Sequence, residues 1–128
     1  MRHVLDASAV LAMLLNERGA ERVTAMLETA CVGSVNLAEV VTVLARRGID
    51  SDRNNAIIDL LSVPVLVPDE RLSRDAGLLW PETRSAGSSL GDRFALALAR
   101  RLGATLVSSD RRLIEVAITL QIAVATIR

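Results

Sequence analysis

The stretch Thr105-Leu106-Val107-Ser108-Ser109-Asp110 decides how this chain folds. A short β-prone run closes on an acid, and a helix is expected at once afterwards, over 111–120. The opening of the chain repeats the pattern: His3-Val4-Leu5 reads as a strand, Asp6 closes it, and an apolar helix follows over 8–15. In an open parallel sheet, strand ends of this kind converge on the crevice where ligands bind. Two acids a hundred residues apart in sequence are therefore expected at one edge of one sheet.

Working outward, strands and helices alternate. Val23, Met26 and Leu27 stand at i, i+3 and i+4 in a helix over 20–29, which is followed by a strand at 30–33. A helix over 36–47, capped by Ser34 or Asn36 and stopped by Gly48, precedes another over 51–61. Pro64-Val65-Leu66-Val67-Pro68 is a short strand fenced by prolines, and a helix over 71–80 is expected to stop at Pro81. The Ser- and Gly-rich segment 85–91 is the clearest loop. It leads to a very apolar helix over 93–102, and a last strand is expected at 122–127. This alternation predicts an α/β fold, a central mostly parallel sheet with helices on both faces. The 128 residues suit one domain, read as 1–128.

Composition narrows the function. The chain is 51% apolar, yet no apolar run approaches the roughly 20 residues of a membrane span. A charge early in the N-terminal stretch argues against a secretory signal, so a cytoplasmic location is expected. Its 15 basic and 15 acidic residues cancel, which disfavours a protein that coats nucleic acid nonspecifically. The single Cys31 has no disulfide partner and apolar neighbours, and the single His3 lacks companions for a zinc site. Both are expected to be packed side chains.

Two further acids stand at junctions between elements. Glu39 lies in the first turns of the 36–47 helix among Leu37, Ala38, Val40 and Val41, and Asp92 lies between the loop and the apolar helix. Each of the four, taken alone, has a plain structural use as a helix cap or as a charge favoured by the helix dipole. Taken together they place four carboxylates at one sheet edge, where like charges repel unless a hard cation or shared protons hold them. That combination predicts a Mg²⁺ or Mn²⁺ site and hydrolysis of phosphodiesters. Arg93 and Arg111 each follow one of the acids and, as first-turn residues, are expected to point to solvent. A haloacid-dehalogenase phosphatase needs a second Asp where Ser8 stands, and it shares with phospho-receiver domains the need for a lysine, which this chain lacks entirely.

Four segments in order, Asp6-Ala7-Ser8-Ala9, Asn36-Leu37-Ala38-Glu39-Val40, Leu90-Gly91-Asp92-Arg93-Phe94-Ala95-Leu96-Ala97 and Ser108-Ser109-Asp110-Arg111, resemble the PIN-domain ribonucleases of the VapC toxin group. The resemblance spans essentially the whole chain and implies a PIN-like three-layer sandwich. It implies a catalytic quartet of Asp6, Glu39, Asp92 and Asp110, with Asp6, Asp92 and Asp110 as metal ligands and Ser8 and Ser108 as auxiliary hydroxyls. It further implies a Mg²⁺-dependent endoribonuclease, the toxin of a type II toxin–antitoxin pair, with an RNA substrate, a VapB-type antitoxin and a homodimer. Ser108-Ser109-Asp110 stands where Thr-Ala-Asp is usual, and Leu113 where an aromatic is common. A catalytically silent PIN-fold module that only binds a partner is the competing reading, disfavoured by the intact quartet.

Overall fold

Val4 and Leu5, neighbours on the first strand, are both fully buried, yet they belong to two separate apolar cores. Successive side chains on a strand point to opposite faces, so a strand buried on both sides must have helices above and below it. The same split recurs at Leu106 and Val107 and at Cys31 and Val32. In the computed structural model, which describes residues 1–128, this produces three layers.

The strands are β1 (His3–Leu5), β2 (Ala30–Gly33), β3 (Val65–Leu66), β4 (Thr105–Ser108) and β5 (Val124–Thr126). They form one sheet in the order β3-β2-β1-β4-β5, with every pairing parallel. The helices are α1 (Ala7–Leu14), α2 (Ala20–Met26), α3 (Ser34–Arg46), α4 (Ser51–Leu61), α5 (Glu70–Leu78), α6 (Trp80–Thr83), α7 (Leu90–Leu102) and α8 (Arg111–Thr119). One core is built largely from α1 to α4, the other from α5, α7 and α8. The chain runs outward from β1 to β3 on one side and resumes at β4 on the other, so the strand order reverses between β1 and β4. Asp6 and Asp110 follow these two strands, at the switch point where such sheets bind ligands.

Several boundaries differ from the sequence expectation. Pro81 does not end the fifth helix region in extended chain; it enters the first turn of α6, where its missing N–H costs no hydrogen bond. Helix α7 starts at Leu90 rather than 93, because Ser89 and Asp92 close a capping box in which each side chain accepts from the other's backbone amide. Neither Ser34 nor Asn36 caps α3: Gly33 is its N-cap and makes no side-chain bond, which leaves the Asn36 amide free for other work. The last turn of the second helix tightens into a 3₁₀ turn at Leu27–Thr29. Edge strands β3 and β5 hold only two and three residues, shorter than expected and consistent with how sheets blunt their edges. Cys31 is buried and free, and the His3 ring pairs with Thr29 Oγ1 at 2.8 Å, so both are structural.

Candidate active site

Asp6 is 4% exposed and its carboxylate accepts three hydrogen bonds. Oδ1 takes the Ser8 hydroxyl (2.6 Å) and the Ala9 amide (2.9 Å), and Oδ2 takes the Ser108 hydroxyl (2.5 Å). The two serines predicted as auxiliaries therefore both reach it. Each also accepts from the segment that carries Asp110: Ser8 Oγ from the Ser109 amide (3.0 Å) and Ser108 Oγ from the Asp110 amide (2.9 Å). One carboxylate thus clamps the end of β1 to the loop after β4.

Helix capping is a real part of this arrangement. Asp6 caps α1, Asp92 completes the box that starts α7, and Asp110 accepts from the Arg112 and Leu113 amides at the start of α8. Capping does not explain the burial, however. Asp50 and Asp69 cap α4 and α5 with side chains 61% and 62% exposed, as caps usually can. Asp6 does the same job in the interior, where a charge is costly unless well bonded.

Glu39 caps nothing. It lies on α3, and its carboxylate rests against Gly91 at the start of α7, so closely that a Cβ at Gly91 would fall 2.5 Å from Glu39 Cδ and 2.6 Å from Oε2. Asn36, one turn earlier and 1% exposed, fixes this contact. Its Nδ2 donates to Glu39 Oε1 (2.9 Å) and to the Gly91 carbonyl (3.1 Å). Asn36 and Gly91 both lie in motifs quoted above, but their roles are visible only once α3 and α7 are side by side. The amide oxygen of Asn36 is buried without a partner, which makes its placement expensive and marks it as positional rather than incidental.

Burial and neighbouring charge act together on Asp6, Glu39 and Asp92. Burial raises the pKa of Asp6 above the ordinary 3.8, against the opposing pull of Ser108, Ser8 and the Ala9 amide, and the charge of Asp92 raises it further. Burial raises Glu39 above 4.5, offset by Asn36 and reinforced by the charges of Asp92 and Asp6. Asp92, half-buried, is raised by burial and by the charge of Asp110, with the Ser89 amide and hydroxyl opposing. Acids distant in sequence thus act on one another across the switch point, Asp92 on Asp6 and Glu39, and Asp110 on Asp92.

The donor set is all oxygen, as hard divalent cations require. No three histidine, cysteine, aspartate or glutamate side chains stand close enough to form a finished metal cage. Each acid is turned to a local donor instead, Asp92 to the Ser89 amide (2.9 Å) and Asp110 to α8. Mg²⁺ is commonly held through one or two carboxylates and several waters, so these residues fit such an ion without a closed cage.

One of the two arginines departs from expectation. Arg93 turns inward rather than to solvent: its Nη1 donates to the Ala76 carbonyl at 3.5 Å and its Nε is buried without a partner. It braces α7 against α5. Arg111 is exposed, as expected, and lines a cleft beside Asp110.

Known structures share this fold. A DNA-bound VapBC from Salmonella typhimurium is 21% identical, with a TM-score of 0.78 over 100% of this chain and 99% of that one. VapC20 from Mycobacterium tuberculosis, described as a sarcin–ricin loop cleaving toxin, is 18% identical with a TM-score of 0.73, over 88% of this chain and 93% of that one. VapBC-1 from nontypeable Haemophilus influenzae is 20% identical with a TM-score of 0.74, over 99% and 98%. No curated protein matches the sequence. The PIN domain family matches residues 3–119, which include all four acids and both serines, and on that match the chain belongs to the PIN-domain family.

Proposed function

We propose that this protein is a metal-dependent endoribonuclease, with residues 1–128 forming one PIN domain that acts as the toxin of a type II toxin–antitoxin pair. The observation that carries this reading is the placement of Asp6 and Asp110 just after β1 and β4, at the switch point of the sheet, with Asp6 buried among three donors and Glu39 seated against the first turn of α7, which carries Asp92. Asp6, Asp92 and Asp110 are the metal-holding acids in this reading, and Mg²⁺ is the expected ion, with Mn²⁺ able to replace it. When bound, the cation lowers the pKa of a water and offsets charge on the scissile phosphate. The chain's own part is to hold the carboxylates in place. Ser8 and Ser108 orient Asp6 and fix the Asp110 segment, while Asn36 and the open space at Gly91 seat Glu39 beside Asp92. No side-chain nucleophile is needed.

The toxin assignment draws on the VapBC complexes among the similar structures, and it brings with it a VapB-type antitoxin, a homodimer and a cytoplasmic setting. No helix is long and apolar enough to cross a membrane. The silent binding module has one observation on its side, the lack of a finished cage of acids. Two measurements separate the readings. The nuclease cleaves RNA with Mg²⁺ or Mn²⁺, not in excess EDTA, and arrests growth when induced alone, an effect lost in Asp6→Asn and reversed by its antitoxin. Unimpaired growth with abundant folded wild-type protein, or equal cleavage in EDTA, would sink the proposal.

A further inference from the structure

Beside the acids, on the side of β4 that faces β5, lies a cleft of about 680 Å³ lined by Arg18, Ser109, Arg111, Ile114, Thr126 and Arg128. Half of its lining is arginine, no side-chain carboxylate lines it, and only Ile114 is apolar. None of the three guanidinium groups is spent within the protein. The ion pairs of the chain are Arg53 with Asp50, Arg74 with Glu70 and Arg101 with Asp69, all elsewhere. In a chain of zero net charge, three unpaired cations around one concavity form a local field rather than a share of a general basic surface.

Its position gives that field a direction. Ser109 and Arg111 flank Asp110 in sequence, and the Ser109 amide is held by Ser8, the same hydroxyl that donates to Asp6. Cleft and acids therefore share the segment Ser109-Asp110-Arg111, tied by its amides to Ser8 and Ser108. We infer that this cleft binds the phosphate backbone of single-stranded RNA next to the bond to be cleaved, with Arg18, Arg111 and Arg128 as the phosphate contacts. Guanidinium groups match phosphate oxygens in paired, charge-assisted hydrogen bonds, and the Ser109 hydroxyl adds a neutral donor, whereas that of Thr126 is directed to the Arg128 carbonyl (3.4 Å). The cleft has no aromatic side chain on which a base would stack, so it reads the backbone and not the base sequence. Selection of a cleavage sequence must come from other surfaces.

This inference rests on the ribonuclease reading, and the test keeps the two apart. A fluorescein-labelled single-stranded RNA of mixed sequence is titrated by anisotropy into Asp92→Asn protein across a range of KCl concentrations. The same is done with Arg18→Gln/Arg111→Gln/Arg128→Gln added, and with a charge-matched control, Arg47→Gln/Arg53→Gln/Arg74→Gln, none of which lines the cleft. The cleft variant should bind on the order of tenfold to a hundredfold more weakly and lose about 2 from the slope of log K against log salt, as three released phosphate contacts on a single strand predict. The control should keep both values. Equal effects in the two variants, no effect in the cleft variant, or no RNA binding by the parent would overturn the inference. So would loss of affinity for poly-L-glutamate without loss for RNA, which would make the cleft a dock for an acidic protein segment. In parallel, wild-type protein is assayed for Mg²⁺-dependent cleavage: cleft-dependent binding without cleavage sinks only the nuclease reading, and cleavage with cleft-independent binding sinks only this one.

Discussion

Replacing Gly91 by alanine adds one methyl group to the most crowded point of the candidate site. Gly91 is buried in the first turn of α7 and its φ is not positive, so alanine fits the backbone. The new Cβ would lie 2.5 Å from Glu39 Cδ and 2.6 Å from Oε2, whereas non-bonded carbons settle at about 3.5–4.0 Å. The carboxylate must withdraw by about 1 Å, pulling against Asn36. Losing that charge-assisted bond costs about 1.5–3 kcal/mol, and exchanging glycine for alanine in a helix returns up to about 1 kcal/mol. Net destabilisation is then roughly 0.5–3 kcal/mol. A displacement of about 1 Å at reacting groups lowers rates on the order of a hundredfold, equivalent to about 2.7 kcal/mol of transition-state stabilisation.

The expected result is a folded protein that cleaves RNA about a hundredfold more slowly at saturating Mg²⁺, with a melting temperature lowered by a few degrees. Gly77→Ala in α5 is the control, since its Cβ would meet nothing; it should raise stability by about 0.5–1 kcal/mol and leave the rate alone. Wild-type cleavage by Gly91→Ala, with the wild-type metal requirement, would refute the claim that Glu39 acts from its place against α7.

The remaining expectations concern the other members of the group. Asp6→Asn should abolish Mg²⁺-dependent cleavage while circular dichroism and melting show an intact fold; residual cleavage above background would contradict its assigned role. Asn36→Ala should lower stability by about 1–3 kcal/mol in urea titrations, through loss of both bonds from its amide, and should slow cleavage as well. Because Asp6, Glu39 and Asp92 have raised folded pKa values, the native state binds more protons than the unfolded chain, so metal-free stability should be greatest below about pH 4 as far as these groups are concerned and fall as pH rises through their folded values. Melts in EDTA at mildly acidic and neutral pH should show the loss and added Mg²⁺ should reverse it at neutral pH; a charge-independent melting temperature in Asp6→Asn, Asp92→Asn and wild type alike would speak against coupling.

The order of strands and helices was readable because the apolar runs are short, punctuated by Gly, Pro and hydroxyl residues, and closed by acids at the junctions. What escaped the reading depended on contacts between distant segments. Asn36 is a case in point: in sequence it is a poor helix former near a helix start, while its Gly91 partner lies 55 positions away. The inward turn of Arg93 depends on where α5 packs, and the arginine cleft unites Arg18, Ser109, Arg111, Ile114, Thr126 and Arg128, which no local pattern connects. The start of α7 is different. Ser89-Leu90-Gly91-Asp92 carries the hydroxyl-x-x-acid signature of a capping box before an apolar run, and the richness of the segment in Ser and Gly obscured it.

The network around Asp6 also explains why asparagine, and not alanine, is the informative substitution there. An asparagine oxygen at the Oδ1 position keeps the bonds from Ser8 and the Ala9 amide, and with them the cap of α1. The amide nitrogen then faces Ser108 Oγ, which must become an acceptor. Ser108 can do so because its own hydrogen has an alternative 3.3 Å away, the Ser8 oxygen, so the hydroxyl proton is not stranded. Alanine offers no such exchange: it leaves two hydroxyls and an amide without their acceptor and frees the segment carrying Asp110, a loss of stability that would mask any effect on chemistry. The asparagine variant removes only the charge. Burial and Asp92 both resist that charge in the metal-free protein, so its removal should leave stability unchanged or raise it. Lost cleavage with preserved or increased stability is the outcome that separates a site held ready for a cation from a helix cap that happens to be buried.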